Sequence, residues 1–356
     1  AARVFQGIGA ACIMSMNAAL VRATYPADML GRGIGYNALV LSLSAAAGPT
    51  IAALILSVAT WPWLFLINLP IGIAALAVAR RALPDPFGHR EPFDWISALL
   101  SAAMMGLTVF GAEWFAREAA PLGLAIVVAG IGSGVILALR EWSDPRPLFP
   151  IDLLKIPLFG MSIATSTVSF AAQMLAYVTM PFLLQSVLRH GVFETGLLMT
   201  PWPLAVGVAA SIAGRLADRY PAGLLGGIGL SIFAFGLLEL SRLGFHSGTF
   251  DIAWRMAVCG LGFGLFQSPN NRTIVSCAPR QRSGAAGGML ATARLLGQTA
   301  GAVSVAAAFH LAGLKVGPKL LAASAVAAAV AAALSLLRLS VRTKTEEGEA
   351  SAPLLE

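Results

Sequence analysis

Charge is what this chain has least of. Aspartate, glutamate, lysine and arginine make up 12% of its 356 residues, about half the share in an ordinary soluble domain. That excludes a conventional soluble fold of this size. Cysteine is nearly absent. Cys12, Cys259 and Cys277 lie in or beside apolar blocks with no CxxC pair, so neither a disulfide framework nor a zinc site is implied. His89, His190, His246 and His310 are scattered, each near a connector, and no HExxH or paired-aspartate cluster joins them. The chain has no GxxxxGK[ST] phosphate loop, which argues against ATP-driven transport. The glycines of GIGAAC (7–12) follow no strand and make a weak dinucleotide fingerprint. The net charge of +7 comes from bases spread between apolar blocks, unlike the clustered footprint of a nucleic-acid protein. A catalytic centre, a metal, a cofactor and a nucleic-acid partner are therefore not expected.

What the chain does have is apolar length. Hydrophobic residues reach 57% and mean hydropathy is +0.78. Blocks of about 20 residues, enough to cross the hydrocarbon core, run over 4–24, 33–57, 62–80, 94–114, 121–139, 158–187, 194–214, 222–241, 251–275, 284–309 and 319–337. This predicts an all-α polytopic membrane protein with about eleven spans. The longest connectors, RRALPDPFGHREPFD (80–94) and REWSDPRPLFPIDLLK (140–155), are proline-rich and charged, as surface linkers are. They set two spans apart from three before and six after.

Alternate connectors plus the C-terminal segment (22–32, 80–93, 140–157, 215–221, 272–282 and 338–356) hold sixteen of the 24 Lys and Arg. The opposite set holds five: Arg117, Arg189, Arg242, Lys315 and Lys319. Arg3, Arg255 and Arg294 fall within spans. By the positive-inside rule the first set, with the C-terminus, is cytoplasmic. The first block then runs from outside to inside, which is expected only if an odd number of spans precedes it.

Four stretches carry a resemblance. Arg3-Val4-Phe5-Gln6-Gly7-Ile8-Gly9-Ala10-Ala11 is similar to the fourth-helix motif of the major facilitator superfamily, particularly its proton-linked drug-efflux branches. SAAAGPTIAA (44–53) resembles the antiporter motif of the fifth helix. It keeps Gly48-Pro49 but has Ser44, Ala52 and Ala53 where the pattern has glycines. WPWLFLINLPIG (61–72) is similar to the entry of the sixth helix, and GRLADRYPAG (214–223) resembles the second-half copy of the cytoplasmic loop signature. There Pro221 replaces the later glycine and the final basic residue is absent. Together with the inserted pair of spans, the resemblance covers essentially the whole chain and implies the fourteen-span drug:proton antiporter branch. Three helices, roughly 100 residues, are then expected ahead of Ala1. An internal comparison agrees: at an offset of 253, Gly7, Gly9, Ser15 and Asn17 face Gly260, Gly262, Ser268 and Asn270, as parallel halves would.

The expected organisation is 1–81 as the remainder of an N-terminal bundle, 82–157 as linker helices and connectors, 158–340 as a C-terminal six-helix bundle and 341–356 as a cytoplasmic tail. Charges embedded in membrane helices are functional candidates by default. The resemblance places Arg3, with Gln6 beside it, at a central cavity, where it would assist proton coupling through a carboxylate in an earlier helix. Arg294, deep in its block, is expected to pair or line the cavity, with Gly297 and Gly301 forming a packing face. The resemblance makes Gly48 and Pro49 a hinge and seal. It makes Gly214, Asp218 and Arg219 a cytoplasmic gate, in which the carboxylate caps the next helix and the arginine pairs across helices. Phe170, Tyr177, Phe182, Trp202, Phe263 and Phe266 are expected to line the cavity, where cations bind through apolar and cation–π attraction. Arg255 should pair with Asp251 at i,i+4. Glu113 and Glu239, the latter three residues from Arg242, are expected at an interface.

The function these features predict is proton-coupled efflux of hydrophobic or cationic drugs by a monomer in the inner (cytoplasmic) membrane. Its partners would be lipid, protons and a small-molecule substrate. An importer or exporter of another metabolite with the same fold remains an alternative, as does an inactive remnant. By itself the chain is expected not to transport, since alternating access needs both halves.

Overall fold

The computed structural model describes residues 2–82, 94–118, 121–142, 150–244, 247–279, 282–313 and 316–350. The described residues form no strand. Eleven long helices follow one another: α1 (Ala2–Thr24), α2 (Leu30–Val58), α3 (Trp63–Ala82), α4 (Trp95–Glu118), α5 (Pro121–Glu141), α6 (Pro157–Val187), α7 (Phe193–Leu216), α8 (Ala222–Ser241), α9 (Thr249–Cys277), α10 (Ser283–Ala312) and α11 (Gly317–Ala350). Ten of them are long and apolar enough to cross a membrane. The remaining one, α2, has 29 residues, ample length for the crossing.

Local chemistry explains several boundaries. Pro157 opens α6 at its first turn, where a missing N–H costs nothing. Asp94 caps α4: its Oδ1 accepts from the N–H of Ile96 (3.0 Å) and of Ser97 (3.2 Å), and its Oδ2 from the Ser97 hydroxyl (2.7 Å). Those donors, with Arg140 nearby, hold the Asp94 carboxyl below the usual carboxylate range. Late in α6, Pro181 removes a backbone donor. Two residues on, the helix widens into a π turn over Leu183–Val187, closed by Leu188 N–H on the carbonyl of Leu183 at 3.0 Å.

The six helices from α6 onward pack as one bundle. In it α8 lies between α9 and α11, α7 rests on α9, and α6 lies between α10 and α11. Its interior is filled by rings meeting edge to face: Tyr177 on Trp202 (5.9 Å between centroids), Trp202 on Phe233 (5.7 Å), Phe233 on Phe263 (5.4 Å), and Phe263 on both Phe170 (5.3 Å) and Phe266 (5.9 Å). This is the geometry the ring quadrupole favours. The inserted pair α4 and α5 pack mainly on each other, and α4 also touches α10. On the N-terminal side, α1 leans on α10 and α2 on α7, so these two helices tie residues 1–81 to the bundle.

Two ion pairs sit where spacing predicts them. Arg255 is 3.0 Å from Asp251, and Arg242 is 2.6 Å from Glu239. His190 is 2.9 Å from Glu194 one turn on. One boundary differs from the sequence reading. The last helix does not stop near 337 but continues to Ala350, and Arg338, counted with the cytoplasmic charges that follow the last span, is 2% exposed inside the bundle. Residues 351–356 of the expected tail lie outside the described residues.

Backbone approach sets how closely α10 and α6 can pack. A side chain at Gly301 would lie 2.5 Å from the Ala171 carbonyl oxygen, and one at Gly297 would overlap the Thr167 carbonyl. Gly297→Ala should therefore force the helices apart, at about 1–3 kcal/mol. Gly284→Ala, on the same helix with nothing within 4 Å, should leave stability unchanged or raise it by up to about 1 kcal/mol through helix propensity. Unfolding midpoints of the two purified variants that moved together would refute this packing.

Candidate functional site

The junction between the N-terminal helices and the bundle is built at the end where α1 stops and α2 starts. Here α2 and α7 cross backbone to backbone at Gly31 and Gly214, where neither position has room for a side chain. That approach brings the turn after α7 under the first turn of α2. The Gly31 N–H donates to Asp218 Oδ1 at 3.2 Å. Arg32 Nε lies 3.7 Å from Asp218 Oδ2, and Arg272 Nε, from α9, lies 3.5 Å from Oδ1. The Asp218 side chain is only 10% exposed. A carboxylate so enclosed needs compensation, and two guanidiniums plus the positive end of α2 supply it. Arg272 also donates to the Ala217 carbonyl (2.8 Å), fixing the turn that presents Asp218.

A second clasp lies beside the first. Arg22, in the last turn of α1, donates through Nη1 to the carbonyls of Val275 and Ala278 (2.8 Å) and to the Ser283 hydroxyl (3.2 Å). This sets a cation on the negative end of α9. Arg282 and Asp152 form an ion pair between two connectors at the same end.

At the opposite end, α2, α6 and α7 diverge around a cavity of about 410 Å³. It is walled by Ala45 and Ala46 of α2, Tyr177 and Phe182 of α6, and Met199 and Thr200 of α7. Its lining is almost wholly apolar. Ala45 and Ala46 are the small side chains of its α2 wall.

The residues singled out in the sequence fall in different places. Gly214 and Asp218 meet in the clasp. Asp218, however, caps α2 across the junction and not α8, whose start has no side-chain cap. Arg219 is exposed and makes no ion pair among the described residues; Arg32 and Arg272 take the pairing expected of it. Four of the aromatics expected at a cavity are core residues instead: Phe170 is 2% exposed, and Trp202, Phe263 and Phe266 are each 1% exposed. Their edge-to-face packing consumes the surface a ligand would need. Tyr177 and Phe182 do border the cavity. Arg294 lies over the Phe170 ring at 5.4 Å, with no ion pair among the described residues. Gly48 is exposed on α2, which runs through Gly48-Pro49 unbroken, and Gln6 is exposed on α1. The side chains of Arg3 and Pro49 lie outside the described residues.

Sequence reasoning passed over Arg22, Arg32, Arg272 and Arg338 as cytoplasmic charges beyond the spans. Inside the bundle Arg338 joins a polar chain through Ser162, Asn270 and Ser335. Asn270 donates to Ser166 Oγ at 2.7 Å. The signal was available: Ser162 and Ser166 share a helix face, and Asn270 lies within the apolar block 251–275.

Comparison with known proteins gives the family. The model of the Major Facilitator Superfamily matches residues 1–302. Over 309 residues the chain is 53% identical to an uncharacterized transporter, YebQ, of Escherichia coli, covering 86% of this chain and 67% of that protein. It is 30% identical over 309 residues to the tetracenomycin C resistance and export protein of Streptomyces glaucescens (84% of this chain, 56% of that protein). It is 29% identical over 296 residues to the riboflavin transporter RibZ of Clostridioides difficile (83% and 64%). The chain thus spans between about half and two-thirds of the length of these relatives.

The clasp makes a specific prediction. Asp218→Ala should loosen the first turn of α2 together with the turn before α8, so amide exchange in peptides covering 27–35 and 214–222 should speed up about tenfold, the loss of one charge-assisted bond. Arg219→Ala should leave both rates alone. Equal acceleration by the two substitutions would show that Asp218 holds nothing across the junction.

Proposed function

Because the chain belongs to the Major Facilitator Superfamily, we propose that it forms the gated part of a proton-coupled exporter of hydrophobic or cationic small molecules in the cytoplasmic membrane. The cavity between α2, α6 and α7 carries this reading. Its volume of about 410 Å³ falls in the range of drug-sized sites, and such sites are mostly apolar with a few polar groups. Tyr177 supplies an exposed ring face and a hydroxyl, and Thr200 a second hydroxyl. Ala45 and Ala46 belong to the same stretch, 44–53, as Gly48-Pro49, so the antiporter-like segment forms one wall. The name of the Streptomyces relative, a resistance and export protein, supports the direction of transport.

In this reading the clasped end is the cytoplasmic one, because the arginine-rich connectors lie there, and the cavity faces outward. Asp218 with Arg32, Arg272 and Gly31 is the gate latch. Arg294 lies over Phe170 on the junction side of the bundle and would bias a proton-carrying carboxylate in the N-terminal half. Gly48 and Pro49 form the seal, and Arg3 and Gln6 belong to the same coupling path. Residues 1–81 act as part of one rocking unit and 158–340 as the other, joined by the linker helices of 82–157. The transporter works as a monomer.

A second reading is favoured by RibZ: the same cavity would take a planar aromatic metabolite. One experiment separates the two. Cells expressing the gene that carries this chain should accumulate several-fold less ethidium than vector controls, and a protonophore should abolish the difference. Tyr177→Ala should remove most of it. Unchanged ethidium together with altered riboflavin accumulation would replace efflux by the second reading, and no change in either would defeat both.

A further inference from the structure

Arg338 is a buried cation held by neutral groups alone. Its Nη1 donates to Ser162 Oγ (2.9 Å) and Asn270 Oδ1 (2.6 Å), its Nη2 to Ser335 Oγ (2.6 Å) and its Nε to the Ser335 carbonyl (3.4 Å). No carboxylate is within ion-pair distance among the described residues. A guanidinium has five N–H donors, so these bonds leave one, on Nη2. Hydrogen bonds satisfy donors, but they do not cancel a charge; a buried charge is ordinarily met by a counter-ion.

The start of α8 presents a second demand of the same sign. Asp218, the acid nearest in sequence, is turned away to α2, and α8 begins at Pro221 without a side-chain cap. Its first turn closes only at Leu224 and Leu225, whose N–H groups reach the Pro221 carbonyl at 3.1 and 3.2 Å. The N–H groups of Ala222 and Gly223 precede that turn, at the positive end of a 20-residue helix. Ser335 joins the two features, accepting from Arg338 and donating to the Gly223 carbonyl at 3.1 Å.

Both features border one cavity of about 40 Å³, lined by Leu158, Ala222, Gly223, Thr273 and Arg338 where α6, α8, α9 and α11 come together at the arginine-rich end. That is room for roughly two or three waters, or for one oxyanion group. The Thr273 hydroxyl donates to the Pro269 carbonyl (3.0 Å), and Arg338 is the charged residue of the lining. We propose that this cavity is an anion site that takes a phosphate group, from the headgroup of an anionic phospholipid at the membrane interface or from inorganic phosphate. Guanidinium and helix-start N–H groups are the donor set that binds phosphate elsewhere. Basic pockets between membrane helices on the cytoplasmic side hold anionic headgroups. The site belongs to the six-helix bundle and is independent of what the protein transports.

The test uses the full chain, purified in neutral detergent, and two variants. Ala222→Asp places a carboxylate on the cavity wall at a position where a helix start favours one; Arg338→Met removes the cation. Thermal unfolding is followed while potassium phosphate is raised at constant ionic strength with potassium chloride, and native mass spectrometry reads any retained phosphatidylglycerol. Wild type should gain about 2–4 °C at saturating phosphate or retain one phosphatidylglycerol, and Ala222→Asp should do neither while staying folded. Retained lipid displaced by phosphate identifies the headgroup as the source. A phosphate response without retained lipid identifies the free anion. If Arg338→Met fails to fold, Ala222→Asp still decides. The proposal is overturned if wild type and Ala222→Asp behave alike, or if chloride alone stabilises as well as phosphate.

Discussion

A charge has no inexpensive place in hydrocarbon, and nearly every specific feature of this chain follows from where its few charges are allowed to go. Backbone groups are satisfied within the helices themselves. Side-chain charges are either drawn to the helix ends or enclosed with partners. The arginine-rich end shows the first solution made useful. Arg22, Arg32 and Arg272 are interfacial bases, and each is turned inward onto an opposing pole: the α9 carbonyls for Arg22 and the Asp218 carboxylate for the others. Helix dipoles sharpen both arrangements, since Arg22 meets a negative terminus and Asp218 a positive one.

The two ends of the molecule are therefore held by different forces. At the arginine-rich end the halves meet through charge-assisted bonds and the Gly31–Gly214 backbone crossing. At the other end α2 faces α6 and α7 across an apolar cavity. The arginines of that end are partly exposed, Arg32 by 44% and Arg272 by 28%, so their bonds to Asp218 can be exchanged for water. A dispersion-packed interface cannot open without exposing apolar surface to water or lipid. A junction that must open and close is better built from the first kind, provided that a backbone contact fixes its register. In the proposed reading Gly31 and Gly214 would provide that register, and Asp218, Arg32 and Arg272 the reversible part.

Much of the fold was legible in the sequence because membrane helices announce themselves by length and composition alone. Blocks of apolar residues mark all eleven helices, and Gly297 and Gly301 mark their own packing face. The i,i+3 and i,i+4 pairs at Glu239–Arg242 and Asp251–Arg255 follow from spacing on one helix. The candidate site was legible only where a motif names a position, as GRLADRYPAG names Gly214 and Asp218. Its partners were not, because Gly31, Arg32 and Arg272 meet Asp218 from helices that no local pattern connects. Phe170, Trp202, Phe263 and Phe266 show the reverse error. A ring in a helix that borders a cavity was read as lining it, yet each helix has several faces, and these four face one another.

Arg338 is the most instructive misplacement. Counted among the bases after the last span, it followed a rule in which lysine and arginine near a helix end are surface residues. That rule assumes that the cheapest position for a guanidinium is water. Inside the bundle the alternative had already been prepared: Ser162, Asn270 and both the hydroxyl and the carbonyl of Ser335 supply four acceptor contacts. Each is an unremarkable polar residue in an apolar helix when read alone. Their polarity is otherwise a cost in a membrane, so their convergence on one side chain is what explains them. The same bookkeeping leaves a net positive charge in the middle of that polar group, beside a helix start that adds to it. Neutral acceptors can multiply without ever removing that charge; only an anion can.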